Sequence, residues 1–271
     1  EEEHAFCKID HRLKEGGFET FLLHGVTGSG KTEVYLRAME ETCRAGRGSL
    51  ILIPEISLTP QLIDRVNARF PGRVGILHSA LSAAERWAQW WHIVRGNVDV
   101  VVGARSAVFA PLANLGLIIV DEEHDPSYKQ EEGLRYNGRD VAVVRGKLSA
   151  CPVVLGSATP AVESYQNSLE GRYRLLEMTE RVQQRPLPFV ETIDLRSKFN
   201  RSEQPNAARV RLPTDSMPVQ TSGEHRLISD RLAASLKENN RASRQSLIFL
   251  NRRRFLNYLQ CVLFGHVFRC S

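Results

Sequence analysis

The octapeptide Gly25-Val26-Thr27-Gly28-Ser29-Gly30-Lys31-Thr32 constrains this chain more than any other stretch. It has the spacing G-x-x-x-x-G-K-[ST], follows the apolar run 21–23 and precedes a helical pattern over 33–45. Strand, loop and helix in that order are the setting in which such a loop cradles a phosphate chain. Glycines let successive backbone N–H groups turn inward where a side chain would collide. The start of the helix adds its positive dipole end. Lys31 then reaches the β- and γ-phosphates, and the Thr32 hydroxyl holds the Mg²⁺ that bridges them. The chain is expected to be organised around a nucleotide site.

After the loop, β-rich apolar runs recur at 50–53, 74–77, 98–102, 117–120 and 153–155. Helical patterns over 59–70, 83–94, 140–148 and 161–170 lie between most of them. That alternation predicts an α/β fold with a mostly parallel sheet covered on both faces. The strands are near-continuously apolar, as burial on both sides requires. Trp87, Trp90, Trp91 and Val94 recur at helical spacing, which assigns them to the core.

The division along the chain follows from composition. Residues 1–19 read as a charged helix with Phe6, Ile9 and Leu13 on one side, ending at Gly16-Gly17. Residues 20–182 hold the main lobe. The stretch 183–224 is rich in Pro, Arg, Ser, Gln and Asn and reads as a linker or long surface loop. Residues 225–271 begin a second α/β unit, with a helix over 227–236 and a strand over 246–250. One helix and one strand cannot bury a core, so the sequence is expected to be a piece cut within its second domain.

A formal charge of +5 favours a polyanionic partner, mildly. The five cysteines (7, 43, 151, 261 and 270) are odd in number and scattered, which suits a reducing cytosol better than a disulfide framework. No apolar segment follows the acidic N-terminus as a secretory signal would need, and the run 115–120 is far too short to span a bilayer. A soluble intracellular protein with no membrane partner is expected.

Two further motifs supply chemistry. Asp121-Glu122-Glu123-His124 directly follows the strand 117–120, at the C-terminal end where open α/β sheets place their ligands. Asp121 would hold Mg²⁺ through water, and Glu122 would orient and deprotonate an attacking water. Gly156-Ser157-Ala158-Thr159-Pro160 follows another apolar strand. Ser157 and Thr159 can hydrogen-bond the acidic tetrad and sense the γ-phosphate, although such a run alone is also a helix cap.

Taken together, these motifs resemble those of helicase superfamily two, and within it the primosomal replication-restart helicases. The resemblance is carried by His24–Tyr35, Pro54-Glu-Ile-Ser-Leu-Thr-Pro-Gln61, His78-Ser-Ala-Leu-Ser82, Gly103–Pro111, Asp121–Gln130, Gly156–Pro160 and Leu250-Asn-Arg-Arg253. It is close over about residues 20–180 and loose over 245–271, and 127–130 is its most specific part. It implies a RecA-like lobe followed by the start of a second one. The implied activity is a motor that hydrolyses ATP with Mg²⁺ and moves 3′ to 5′ on single-stranded DNA. Such a motor would recognise abandoned forks and help reload the replicative helicase. Implied partners are single-stranded and forked DNA, primosome proteins, single-stranded DNA-binding protein and the helicase loader, in the bacterial cytoplasm at the nucleoid.

By position, Pro54, Thr59, Gln61, His78, Ser79, Arg105 and Ser106 match strand-contacting motifs, and their types suit phosphates without base readout. Each alone is equally an ordinary loop or cap. The segment 125–140 resembles an aromatic-rich loop in which Tyr128 and Tyr136 stack on bases while Lys129, Arg135 and Arg139 meet phosphates. A solvated charged loop is the alternative. His124 would couple that loop to the γ-phosphate, or serve as a hydrogen-bonded structural histidine.

The chain also departs from that pattern. Cys261 and Cys270 have the separation of a family zinc insertion, but Phe264 stands where another cysteine is expected. Two thiolates do not close a tetrahedral site, so Zn²⁺ is expected in the family and not in this chain. Ala104 replaces a commoner threonine, and the glutamine expected to read adenine is not evident among residues 1–4. An arginine finger from a second lobe is typically worth about 10³–10⁵ in turnover. Without one, this chain is expected to bind Mg-ATP and hydrolyse it poorly. The competing readings are another superfamily-two translocase or fork remodeller, and a non-hydrolysing DNA-binding primosome platform. The Asp-Glu-Glu-His-Asp run speaks against the first; intact Lys31, Thr32, Asp121 and Glu122 speak against the second.

Overall fold

The computed structural model describes residues 1–54, 60–181, 189–193 and 229–249, together with the backbone of 258–260 and 267–269. The chain divides into two compact units, Glu1–Pro186 and Leu187–Ser271.

The first unit is a seven-stranded sheet. Its strands are β1 (Thr20–Gly25), β2 (Gly48–Leu52), β3 (Val74–Leu77), β4 (Val100–Gly103), β5 (Leu115–Asp121), β8 (Val153–Ser157) and β9 (Arg174–Met178). They lie in the order β3-β4-β2-β5-β8-β1-β9, and every adjacent pair is parallel. Two-residue strands β6 (Lys129–Gln130) and β7 (Tyr136–Asn137) form a separate antiparallel ribbon.

Alternating residues of each strand serve opposite cores. Phe21, Leu23, Ile51, Leu117 and Ile119 pack with α1 (Glu2–Glu15), α2 (Lys31–Arg44) and α3 (Pro60–Arg69) through Phe6, Ile9, Val34, Tyr35, Met39 and Val66. Leu22, Leu50, Ile118, Val120 and Leu155 pack on the other side with α4 (Ala83–Val94) and α5 (Gly138–Leu148) through Ile93 and Ala142. The doubly covered sheet is the expected P-loop α/β architecture. A last helix of the unit, α6 (Val162–Leu169), follows β8.

The register fixes the site. Asp121 on β5 stands opposite Gly156 on β8, and His24 on β1 stands opposite Ser157. Three motifs far apart in the chain therefore meet at the C-terminal edge of three adjacent strands. The edge strand β9 has no counterpart in the expected strands. Its sequence Arg-Leu-Leu-Glu-Met is broken by two charges and partly exposed, so it lacks the apolar run of a buried strand.

The tryptophan stripe is a correction. Trp87 is 65% exposed, Trp90 41%, Trp91 39% and Val94 42%. α4 lies over β3, the outermost strand, so the sheet covers only a narrow face of the helix. Ile93 fills that face, against Gly75 and Val98. The stripe extends beyond it, with Trp87 and Trp91 packed edge to face at 5.7 Å between ring centroids.

In the second unit, α7 (Asp230–Arg241) forms near the expected helix, with the Ser229 side chain accepting from the Leu232 N–H at 3.1 Å. The strand expected over 246–250 does not form at 246–249, where Leu247 and Phe249 are exposed. A β-rich run becomes a strand only beside a partner, and none lies there among the described residues. The strands that do form, β10 (Tyr258–Gln260) and β11 (Val267–Arg269), are an antiparallel pair.

Candidate nucleotide site

The loop after β1 takes its shape from two glycines in the left-handed region, Gly28 at φ 82° and Gly30 at φ 94°. Side chains are disfavoured there. The Val26 N–H donates to the Met178 carbonyl at 3.1 Å, so the edge strand β9 anchors the loop, and the Ser29 N–H donates to Val26 at 3.0 Å. Lys31 is buried, with Nζ donating to the Gly25 carbonyl at 2.7 Å. The Ser29 hydroxyl is also buried, with no hydrogen-bond partner among the described residues. A buried polar atom without a partner is costly, and an incoming phosphate oxygen would satisfy it.

A cleft of about 410 Å³ is lined by residues 27–33, Arg65, Asp121 and Glu122. Asp121, at the end of β5, is held from two sides. Tyr35 Oη donates to its Oδ1 at 3.0 Å, and Tyr128 Oη donates to its backbone carbonyl at 2.7 Å. Burial, then the neighbouring Glu122 charge, raises the Asp121 carboxyl above its ordinary range. Burial and the Asp121 charge push the Tyr35 phenol well up, which keeps it a donor. Gly156 makes the arrangement possible, because a Cβ there would overlap the Tyr35 hydroxyl.

Among the described residues no group of three His, Cys, Asp or Glu side chains converges as a metal site. A cation here would take two protein oxygens, from Thr32 and Asp121, and complete its shell with water and phosphate. Mg²⁺ binds in that manner, so these residues fit it.

The rest of the acidic tetrad diverges. Glu122 has φ 45°, an uncommon conformation for a residue with a side chain. Past this kink Glu123 is buried and accepts from the Ala161 N–H at 2.7 Å, Ser164 Oγ at 2.7 Å and Arg139 at 3.2 Å. His124 Nδ1 lies 2.7 Å from Ser157 Oγ and 3.7 Å from Glu122 Oε2, while Nε2 lies 3.3 Å from Thr159 Oγ1. His124, Ser157 and Thr159 thus come together beside the cleft.

Several expected DNA contacts are placed otherwise. Tyr128 is only 1% exposed and cannot stack on bases. A short 3-10 turn over Pro126–Tyr128 folds it back, with Asp125 capping the turn by accepting from the Ser127 N–H at 2.8 Å. Arg139 is the counter-ion of Glu123 and also pairs with Asp140, so it is not free for phosphate. Arg105 donates to the carbonyls of Ser127 at 3.0 Å and Lys129 at 2.8 Å, pinning the ribbon. Tyr136 is half-buried, edge-on to Phe109 at 5.2 Å. Pro54 is buried and His78 half-buried; Gln61, Ser79, Ser106, Lys129 and Arg135 are exposed. Lys129 pairs with Glu131 at 3.4 Å. Thr59, Cys261 and Cys270 lie outside the described residues.

Sequence reasoning gave no role to Tyr35, Glu123 or Arg65. For Tyr35 a signal existed: it falls four residues after Lys31, on the same helix face.

A family model described as DEAD/DEAH box helicase matches residues 9–168, from α1 to α6. Over 270 residues the chain is 42% identical to replication restart protein PriA of Bacillus subtilis (strain 168), and over 271 it is 40% identical to that of Chlamydia pneumoniae. Both alignments take in 100% of this chain, against 31% and 34% of those relatives. The chain therefore spans about a third of their length. Among solved structures, RecG bound to a three-way DNA junction shares 25% identity at a TM-score of 0.48, covering 65% of this chain and 23% of that one.

Proposed function

The chain belongs to the DEAD/DEAH box helicase family, and we propose that it carries the ATP-hydrolysing lobe of a DNA motor that restarts stalled replication forks. One observation carries the reading. Asp121 is fixed by two tyrosines beside a phosphate loop, while Glu122 lines the same cleft with no lysine or arginine paired to it among the described residues.

In this reading the loop N–H groups and Lys31 bind the β- and γ-phosphates of ATP, with Lys31 exchanging the Gly25 carbonyl for a phosphate oxygen. Thr32 and Asp121 would hold Mg²⁺, which would supply neutralisation of the phosphate charge. Glu122 accepts the proton of a water whose oxygen bonds to the γ-phosphorus. The bond from that phosphorus to the bridging oxygen breaks, leaving ADP and phosphate. His124, with Ser157 and Thr159, ties the tetrad to the turn after β8 and is the group placed to register phosphate release.

Similarity to the PriA proteins supports the finer parts of the proposal. These are 3′ to 5′ movement, fork recognition, the primosome partners and a cytoplasmic site of action. The division into a first lobe at 20–182, a linker at 183–224 and a second lobe from 225 belongs to the same proposal. Exposed Gln61, Ser79, Ser106, Lys129 and Arg135 are the residues offered to the DNA backbone. No helix among the described residues is long and apolar enough to cross a membrane.

The test is Glu122→Gln in the full-length protein. DNA-stimulated ATP hydrolysis is expected to fall by about 10²–10⁴-fold, the usual worth of a general base, with Mg-ATP affinity retained. Turnover that survives the change would remove Glu122 as the base.

A further inference from the structure

The nucleotide cleft has a wall that this reading leaves unused. α3 carries two arginines one turn apart, at 65 and 69. Arg69 ties α3 to α2: it pairs with Glu40, and its NH2 lies 3.1 Å from Glu33 Oε1. Glu33 is the third residue of α2. Both helices follow strands of one parallel sheet, so both begin at its C-terminal edge. Residues four apart share a helix face. One turn back along α3 from Arg69 therefore carries Arg65 past the first turn of α2 and into the cleft that Thr32, Asp121 and Glu122 line.

The charge of that cleft asks for such a group. Its lining holds two cations, Lys31 and Arg65, and three carboxylates, Glu33, Asp121 and Glu122. Without Arg65 a triphosphate would meet one ammonium among three anions. A guanidinium is always charged and forks onto phosphate oxygens in pairs. Arg65 comes to the cleft from α3 rather than from the phosphate loop and shares its lining with Glu122, whose proposed water meets the terminal phosphate, so that phosphate is its target. Gln61, offered above to DNA, lies one turn before Arg65 on the same helix.

We infer that Arg65 is a positioning residue for the γ-phosphate, distinguishing ATP from ADP and linking strand contact at the start of α3 to the nucleotide. The inference rests on the proposed nucleotide site. Its test is equilibrium binding of ADP and of a non-hydrolysable ATP analogue, each with Mg²⁺. The full-length wild type, Arg65→Ala, Arg65→Lys and Lys31→Ala are compared with and without single-stranded DNA. Hydrogen bonds to charged groups are worth about 1.5–3 kcal/mol, or roughly 10–100-fold in affinity. Arg65→Ala is expected to weaken the analogue by that factor while ADP changes by no more than about twofold, and Arg65→Lys to recover part of the loss. DNA is expected to shift analogue affinity in the wild type and less in Arg65→Ala. Equal effects on both nucleotides, or none on either, would overturn the role of Arg65 while Lys31→Ala still weakened both. If Lys31→Ala left both nucleotides bound, the nucleotide site itself would be wrong.

Discussion

Replacing Gly156 with alanine tests the support of the site from behind. Gly156 stands between Leu23 of β1 and Asp121 of β5 in the sheet register. A Cβ there would overlap the Tyr35 hydroxyl oxygen and lie 2.8 Å from its Cζ, where carbon contacts settle near ~3.5–4.0 Å. Tyr35 is 2% exposed in the core between α2 and the sheet, so the ring has no room to retreat. Overpacking costs about 1–3 kcal/mol. Driving the phenol off Asp121 forfeits a hydrogen bond to a charged group, about 1.5–3 kcal/mol more. Gly156→Ala should therefore lose roughly 2.5–6 kcal/mol in all, a large part of a stability of about 5–15 kcal/mol. Tyr35→Phe removes the overlapping oxygen but keeps the ring, and alone should cost about 1.5–3 kcal/mol. In the double variant the Asp121 bond is lost once rather than twice. It should be more stable than the summed singles by about that same amount, within the range for contacting residues. Urea unfolding followed by tryptophan fluorescence measures this cycle, because all three tryptophans lie in the first unit. Additivity within about 0.5 kcal/mol would refute the shared contact.

Two further outcomes follow from neighbouring residues. Glu123→Ala takes from the half-buried Arg139 guanidinium its buried partner, leaving only the exposed Asp140, and strands the Ala161 N–H and Ser164 hydroxyl. It should cost about 3–5 kcal/mol, seen as a fall in Tm of roughly 6–20 °C by calorimetry; a fall under about 3 °C would discard the buried pair as a support. The Asp121 carboxyl is raised by burial and by Glu122, so the folded state keeps a proton that the unfolded state releases. Folding stability without ligand should then fall as pH climbs from the ordinary carboxylate range to the raised value. If Asp121 holds Mg²⁺ as proposed, the ion displaces the same proton, so Mg-nucleotide affinity should rise with pH across that window and lose this dependence in Asp121→Asn. Urea unfolding at stepped pH checks the first sign and titration calorimetry the second; a stability or a wild-type affinity flat with pH would contradict the corresponding one.

What could be read from sequence depended on whether the governing partner lies in the same stretch. The phosphate loop is local chemistry, set by its own glycines and its own helix start, and the inner strands announce themselves because both faces are covered. Elsewhere residue type pointed one way and the fold another. Tyr128 and Arg139 have the composition of a DNA-contacting loop, yet Tyr128 bonds the Asp121 carbonyl and Arg139 neutralises Glu123. Both assignments turn on the direction of the chain after residue 122, which no periodicity encodes. The tryptophan stripe shows the same limit. Spacing identifies an apolar helix face, but not whether anything lies over it, and α4 sits on the outermost strand. Residues 246–249 are β-rich for the same incomplete reason: propensity names a strand, and only a partner makes one.

The left-handed residue at Glu122 explains how three consecutive carboxylates can coexist beside a cleft proposed to take a phosphate chain. Left-handed backbone at a residue with a side chain costs about 1–3 kcal/mol. Its return is that the chain turns between Glu122 and Glu123. Asp121 stays at the strand end, bonded to Tyr35. Glu123 turns inward to Arg139, Ser164 and the Ala161 N–H, so its charge is matched away from the cleft. Glu122 also lines the cleft, with no arginine or lysine paired to it among the described residues. A carboxylate locked in an ion pair makes a poor proton acceptor. Under the proposed function the kink would give the three acids different work: Asp121 to hold a cation, Glu123 to hold α5 and α6 to the tetrad, and Glu122 to accept a proton.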